Sequence, residues 1–515
     1  MSVTAPEIDA GFSFDNSYHR ELAGCYVDWQ AAKVAAPRLL KLNRALAGEL
    51  GLNADRLDSA AGARVLVGNS LLPGAQPLAQ AYAGHQFGGF SPQLGDGRAL
   101  LLGELIDRQG RRRDLQLKGS GRTPFSRGGD GKAAVGPVLR EYLIGEAMHA
   151  MGIPTTRALA AVATGEQVFR ETPLPGAVLA RVAASHLRVG TFEYFAARRE
   201  TESLQRLLAY AIARHDPGLA DHDRPALAFL AAVVGRQAAL IARWMQVGFI
   251  HGVMNTDNMT ISGETIDYGP CAFMDRYDPA TVFSSIDHHG RYAYGNQPGI
   301  GVWNLARLAE ALLPLIDAEP DRAVESATEV LQRFGPAYES HWLAGMRAKL
   351  GLVAAVEPAG PESGPETPAD EMAADDRALV RDLLDILHAQ AADFTGSFRA
   401  LADVLDRDES RLRVQCRDPA ALDPWLARWR ARLRVDPGLA SPERARAMRA
   451  ASPIYIPRNH LVERALAAAV EEGDLEPFEA LLEVLGDPFT ERPGLDAYTQ
   501  AAPDGGAGYQ TFCGT

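Results

Sequence analysis

Apolar positions follow two rhythms along the chain. In the first half they form short runs bounded by turn residues. Ala99–Ile106 and Asp114–Lys118 read as strands, and Arg108-Gln109-Gly110 between them reads as a hairpin turn. Val138–Met151 has the spacing of a helix: Pro137 suits its first turn, Gly152 its C-terminal cap, and Pro154 stops it. Leu159–Ala163 and Gln167–Arg170 flank Thr164-Gly165-Glu166, which predicts a second hairpin, and Val178–Val182 predicts a further strand. From Leu204 onward the helical period dominates. The longest apolar stretch, Pro225–Gly248, contains Arg236, Gln237 and Arg243, which favours a buried helix over a membrane span. Near the C-terminus Leu379, Val380, Leu383, Leu384, Ile386 and Leu387 predict a helix over Arg377–Ala391, and Leu461–Glu472 and Pro477–Leu485 look similar. The pattern predicts an α+β fold, a small sheet with one inserted helix followed by a larger helical lobe.

Composition narrows this further. The chain has 515 residues, too many for one simple domain. Glu357–Asp376 holds four prolines and seven acidic residues with no basic one, and reads as a linker. The formal net charge of −13 argues against nucleic acid as a partner, because phosphate neutralisation needs clustered Lys and Arg. The start has no basic or apolar leader, so the expected location is cytoplasmic. Four cysteines, Cys25, Cys271, Cys416 and Cys513, form no C-x-x-C pair, which argues against a cysteine zinc site.

The richest segment for chemistry is His251-Gly-Val-Met-Asn-Thr-Asp-Asn258, followed by Ile266-Asp-Tyr-Gly269. Asn258 and Asp267 offer hard oxygen ligands of the kind a metal–triphosphate site needs. Two ordinary polar turns would use the same residue types. The layout resembles the protein-kinase signature: His251 matches its His, Asn258 its metal-binding Asn, and Asp267-Tyr-Gly269 its Asp-Phe-Gly. The position of the kinase catalytic Asp holds Val253, which cannot accept a proton; Asp257 is the nearby carboxylate that could. Upstream, Lys118 ends a strand and Glu141 lies in the following helix, the order of the kinase Lys–Glu pair. Gly95-Asp-Gly97-Arg98 precedes the first strand of the hairpin, where glycines let backbone amides approach phosphate. Ser126–Lys132 fails as a Walker A loop but suits a glycine-rich flap over Gly128–Gly131. Arg181 and Arg188 lie on or just after a strand, where two arginines near a phosphate site can grip it, although an arginine at the surface is the commoner case.

With these residues in place the chain resembles the selenoprotein O family, called YdiU in bacteria. Tyr82-Ala-Gly-His-Gln-Phe-Gly-Gly89, Gln116-Leu-Lys-Gly-Ser-Gly121, Trp303-Asn-Leu-Ala-Arg-Leu308 and Tyr455-Ile-Pro-Arg-Asn-His460 carry the likeness, which extends over nearly the whole chain. The resemblance implies a kinase-like bilobal fold and transfer of AMP from ATP, or UMP from UTP, to Ser, Thr or Tyr of protein substrates. It divides the chain into an N-terminal extension over 1–80, an N-lobe over 81–190, a C-lobe over 191–356, the linker over 357–376 and a helical region over 377–515. By position it makes Gly95, Gly97, Arg98, Lys118, Asp130, Gly131, Arg181 and Arg188 nucleotide contacts, with Glu141 orienting Lys118. Asp257 becomes the general base, and Asn258 and Asp267 hold Mg²⁺ or Mn²⁺. It further implies a monomer, and a Cys271–Cys513 disulfide; two unpaired thiols are the alternative, since disulfides are rare in reducing compartments.

Overall fold

The computed structural model of the chain describes residues 8–352, 368–436 and 438–512. Its centre is an antiparallel sheet with the strand order Tyr26–Asp28, Leu78–Gln80, Ala99–Ile106, Arg112–Lys118, Pro173–Ala183, Arg157–Phe169 and Arg38–Leu42; the short Ala133–Ala134 strand pairs beside this path with Pro173–Ala183. Strand alternation gives the sheet two different faces. Leu115, Leu117, Val178, Ala180 and Val182 point to one face, where they bury against Leu46, Leu50, Leu57 and Leu66 of the N-terminal segment. Each fully buried leucine there contributes about 2 kcal/mol. The intervening Gln116, Lys118, Leu179 and Arg181 point the other way, toward the Val135–Ala150 helix and the helical part of the chain.

The two predicted strands over Ala99–Ile106 and Asp114–Lys118 form as a hairpin, and the inserted helix runs Val135–Ala150. The second hairpin forms elsewhere. Arg157–Phe169 is one continuous strand, and its turn to Pro173–Ala183 lies at residues 170–172. Gly165, at φ 73, makes a bulge inside that strand where the sequence suggested a turn. The boundary placed at residue 80 is also crossed, because three strands from 26–80 belong to the same sheet.

Pro225–Val247 and Tyr294–Ile316 are each long and apolar enough to cross a bilayer. Here they pack on one another, with Phe229, Leu230, Val233, Ile241, Leu305, Leu308 and Leu312 fully buried. The stretch read as a linker runs helical from Pro368, in a helix over Pro368–Gln390; the rest of it, before residue 368, lies outside the described residues. Asp376 is buried and ion-paired with Arg432 and Arg347, which draws the helix start onto the body. The C-terminal helices are tied to the body by Arg458. Its guanidinium is fully buried and donates to Asp275 Oδ1 at 2.5 Å, to both carboxylate oxygens of Asp393 at 2.7 and 2.8 Å, and to the Thr499 carbonyl at 2.8 Å.

Candidate active site

A cavity of about 700 Å³ opens between the sheet and the helical part. Gly95, Gly97, Arg98, Lys118, Asp130, Gly131, Arg181, Arg188, Asp257, Asn258 and Asp267 all line it, as does Val253. Glu141 sits behind this lining, on the helix that backs Lys118. The loop with Asp257 and Asn258 is pinned at both ends, because Phe249–Ile250 pairs with Ala272–Phe273. His251 braces it inside. Val253 N donates to His251 Nδ1 at 3.3 Å, so Nε2 carries the proton and donates to the Ile266 carbonyl at 2.9 Å. Burial lowers the His251 pKa, which keeps the ring neutral in that role.

One wall is a cluster of opposite charges. Lys118 Nζ lies 2.6 Å from Glu141 Oε2 and 2.5 Å from Asp267 Oδ1. Arg181 Nη1 lies 2.9 Å from Glu141 Oε1 and 2.7 Å from the same Asp267 oxygen. Burial alone would raise the pKa of Asp267, but Lys118, Arg181 and Arg188 outweigh it and hold the carboxyl well below its usual range. Glu141 is lowered in the same way by Lys118 and Arg181 against its burial. Asp267 takes a left-handed φ of 61, an uncommon conformation for a residue with a side chain, and this turns its carboxylate into the cluster. Arg188 donates to the Asp257 and His186 carbonyls at 3.0 and 3.1 Å and lies 4.3 Å from the centre of the Tyr82 ring. Its Nη2 is buried with no hydrogen-bond partner.

Asp257 faces a different environment. It is buried, accepts one hydrogen bond from Gln86 Nε2 at 3.1 Å, and has no partner at Oδ1. Burial pushes its pKa up to about 6, and the Gln86 bond and the more distant Arg188 only partly offset this. A buried carboxyl titrating near neutrality is suited to take a proton. Asn258 donates from Nδ2 to the Val253 carbonyl at 3.0 Å, which leaves Oδ1 as a free acceptor. Asp267 Oδ2 has Arg188 no nearer than 3.8 Å. An amide oxygen and a carboxylate oxygen so placed in one cavity fit a hard divalent cation that keeps waters and phosphate oxygens as its other ligands.

The family model for protein adenylyltransferase SelO matches residues 11–486. The chain belongs to the SelO family. Family membership makes it a nucleotidyltransferase. Among relatives, a protein nucleotidyltransferase YdiU of Cereibacter sphaeroides is 64% identical over 506 residues, covering 98% of this chain and all of the relative. A protein of the same name from Rhizobium leguminosarum bv. trifolii is 59% identical over 508 residues, covering 98% of each chain. One from Rhizobium rhizogenes is 58% identical over 506 residues, covering 98% of this chain and 97% of the relative.

Within this SelO chain the glycines and Asp130 have local reasons for their identities. A Cβ on Gly95 would sit 2.4 Å from the Phe125 ring and one on Gly97 would sit 2.9 Å from the Phe125 carbonyl, so close packing of the flap demands glycine at both. Asp130 pairs with Arg170 at 2.9 Å and accepts from Lys132 N at 3.0 Å, which fixes the flap beside the cavity. Several groups in or behind the lining escaped the sequence reading, Gln116 among those behind it. Gln116 Oε1 accepts from Arg181 Nε at 3.1 Å and Nη2 at 2.5 Å, while its Nε2 donates to buried Asp96 at 3.3 Å. Strand alternation puts residue 116 on the face of Lys118, a signal that was available. Gln86 and Asn255 have no such local signal.

Cys271 is fully buried with its thiol pKa pushed up to about 12 by burial, and Cys513 lies outside the described residues. The chain just before Cys513 does reach this place, because Thr511 Oγ1 donates to the Pro270 carbonyl at 2.7 Å.

Proposed function

We propose that the chain transfers AMP from ATP, or UMP from UTP, to Ser, Thr or Tyr hydroxyls of protein substrates on a kinase-like bilobal frame. The observation that carries this is the pairing of Val253 in the place of a kinase base with a neighbouring buried, elevated carboxyl at Asp257, in the same cavity as Lys118, Arg181, Arg188, Asn258 and Asp267. In this reading Lys118, Arg181 and Arg188 hold the phosphates, with Gly95, Gly97, Arg98, Asp130 and Gly131 forming the opposite nucleotide wall. Arg188 Nη2, buried without a partner, suits a phosphate oxygen. Glu141 holds Lys118 in line. Asn258 and Asp267 would hold Mg²⁺ or Mn²⁺, which supplies positive charge for the phosphate oxygens when bound. Asp257 takes the proton of the acceptor hydroxyl. The hydroxyl oxygen forms a bond to the α-phosphorus as the bond from that phosphorus to the bridging oxygen breaks, and pyrophosphate leaves with the bonding electrons. The arginines stabilise the charge that develops on it.

Two other readings make different marks on a labelled acceptor. A kinase with ATP in the usual orientation transfers the γ-phosphate, and a binding scaffold transfers nothing. Incubation of the protein and an acceptor with ATP or UTP labelled at α or at γ is expected to label protein from α alone. Labelling from γ alone, or from neither, overturns the proposal.

A further inference from the structure

One wall of the cavity is a short β-hairpin, Gly84–Gln86 paired with Gly89–Ser91 and turned at Phe87 and Gly88. Both turn residues are left-handed, at φ 51 and 86, as tight hairpin turns require. Consecutive hairpin residues each hold one residue of the Asp257 loop. His85 N donates to Thr256 Oγ1 at 2.7 Å, Gln86 Nε2 to Asp257 Oδ2 at 3.1 Å, and Phe87 N to Asn255 Oδ1 at 3.0 Å. The hairpin is therefore fixed in register with the carboxyl assigned as base, and its tip stands at the cavity rim.

That tip is apolar and open. Phe87 is 38% exposed and Phe90 43%, and Ile286, which lines the cavity with Phe87, is 45% exposed. Single exposed apolar residues are ordinary, but Phe87 and Ile286 line the cavity and Phe90 stands beside them on the same hairpin, so the three make one exposed apolar group next to it. Phe90 is held from behind by His85, whose Nδ1 lies 2.5 Å from Glu193 and whose ring meets Trp303 edge-on. Arg291 lies beside the turn, 3.7 Å from where a Cβ on Gly88 would be. Its guanidinium rests against Trp303 at 4.7 Å and Tyr292 at 5.7 Å, and its Nε is buried with no hydrogen-bond partner. Asp287, four residues before it, is taken up by the backbone N–H groups of Arg291 and Tyr292 at 2.9 and 2.8 Å.

We propose that Phe87, Phe90, Ile286 and Arg291 form the docking surface for the acceptor protein segment. The segment is an extended stretch with a large apolar side chain beside the reactive hydroxyl and a carboxylate further along to meet Arg291. This rests on the transferase reading above. Aromatic residues and arginine are the side chains that most often anchor protein contacts, and the positive charge of Arg291 selects an acidic partner.

The probes are a degenerate peptide library with one fixed Ser, Thr or Tyr, and intact casein, each incubated with α-labelled ATP or UTP. The label is expected to concentrate in peptides with an apolar neighbour and an Asp or Glu. Phe90→Ser is expected to raise the acceptor KM about tenfold while the Kd for ATP, measured without acceptor, stays put. Arg291→Glu is expected to reverse the charge preference from acidic to basic peptides. Label spread evenly over the library, or both variants keeping the wild-type KM and preference, overturns the docking surface and leaves the transferase reading standing. No α-label in any peptide or in casein overturns both.

Discussion

Asp257 and Asp267 are two carboxylates of one loop in one cavity, and their surroundings drive them in opposite directions. Asp267 meets Lys118 and Arg181 directly and stays ionised far below its usual range. Asp257 meets an amide, leaves one oxygen without a partner, and is raised to about 6. The difference shows how a single loop supplies both a permanent negative charge and a proton acceptor. Burial is common to both, and the presence or absence of a touching cation decides the sign.

The largest effect should come from the charged side of this contrast. Asp267→Ala is expected to lower kcat by about 10³-fold or more, on the scale of losing several kcal/mol of charge stabilisation. Transfer of α-label at the wild-type rate in that variant would remove Asp267 from the machinery. Next, Asp257→Asn should cost about 10²- to 10⁴-fold, the usual worth of a positioned base, with nucleotide affinity kept. The wild-type pH–rate profile should fall as pH drops through about 6, because protonated Asp257 cannot accept the hydroxyl proton, and the residual activity of the Asn variant should lack that limb. A profile with the same limb in both proteins would break the assignment. The smallest effect is on stability. The folded value of Asp257 is raised above 3.8, so the folded chain holds this proton more tightly, and stability falls as pH rises from about 4 to about 6. Asp257→Asn should therefore stabilise the protein above pH 6 by on the order of 3 kcal/mol, with no gain below pH 4. Thermal melts of both proteins at pH 4 and pH 8 would check the sign.

The local parts of this design were legible in the chain. Lys118 at a strand end, Glu141 on the next helix and the spacing from His251 to Asp267 are short-range patterns, and the fold brings them together as that order suggested. The false hairpin at Thr164–Glu166 shows the limit. A glycine with positive φ serves a turn or a bulge equally well, and only the pairing of Pro173–Ala183 along the whole strand decides between them. Alternation places Gln116 on the Lys118 face, but which residue each polar partner meets was hidden for the same reason. Gln116 meets Arg181 because the register places them opposite one another, and Gln86 meets Asp257 from 171 residues away. The glycines at 95 and 97 line the cavity, and the packing of Phe125 against them is a local constraint that the sequence pattern does not show.

The Arg458 clamp has a meaning in time as well as in space. A ribosome delivers Asp275 long before Arg458, and the two are 183 residues apart. Until the later residue emerges, Asp275 has no counter-charge in the place it must finally occupy, and a buried ion without its partner costs about 3–5 kcal/mol. The Asp275–Arg458 ion pair, on the segment leading out of the Asp267 loop, can therefore form only after residue 458 has been made.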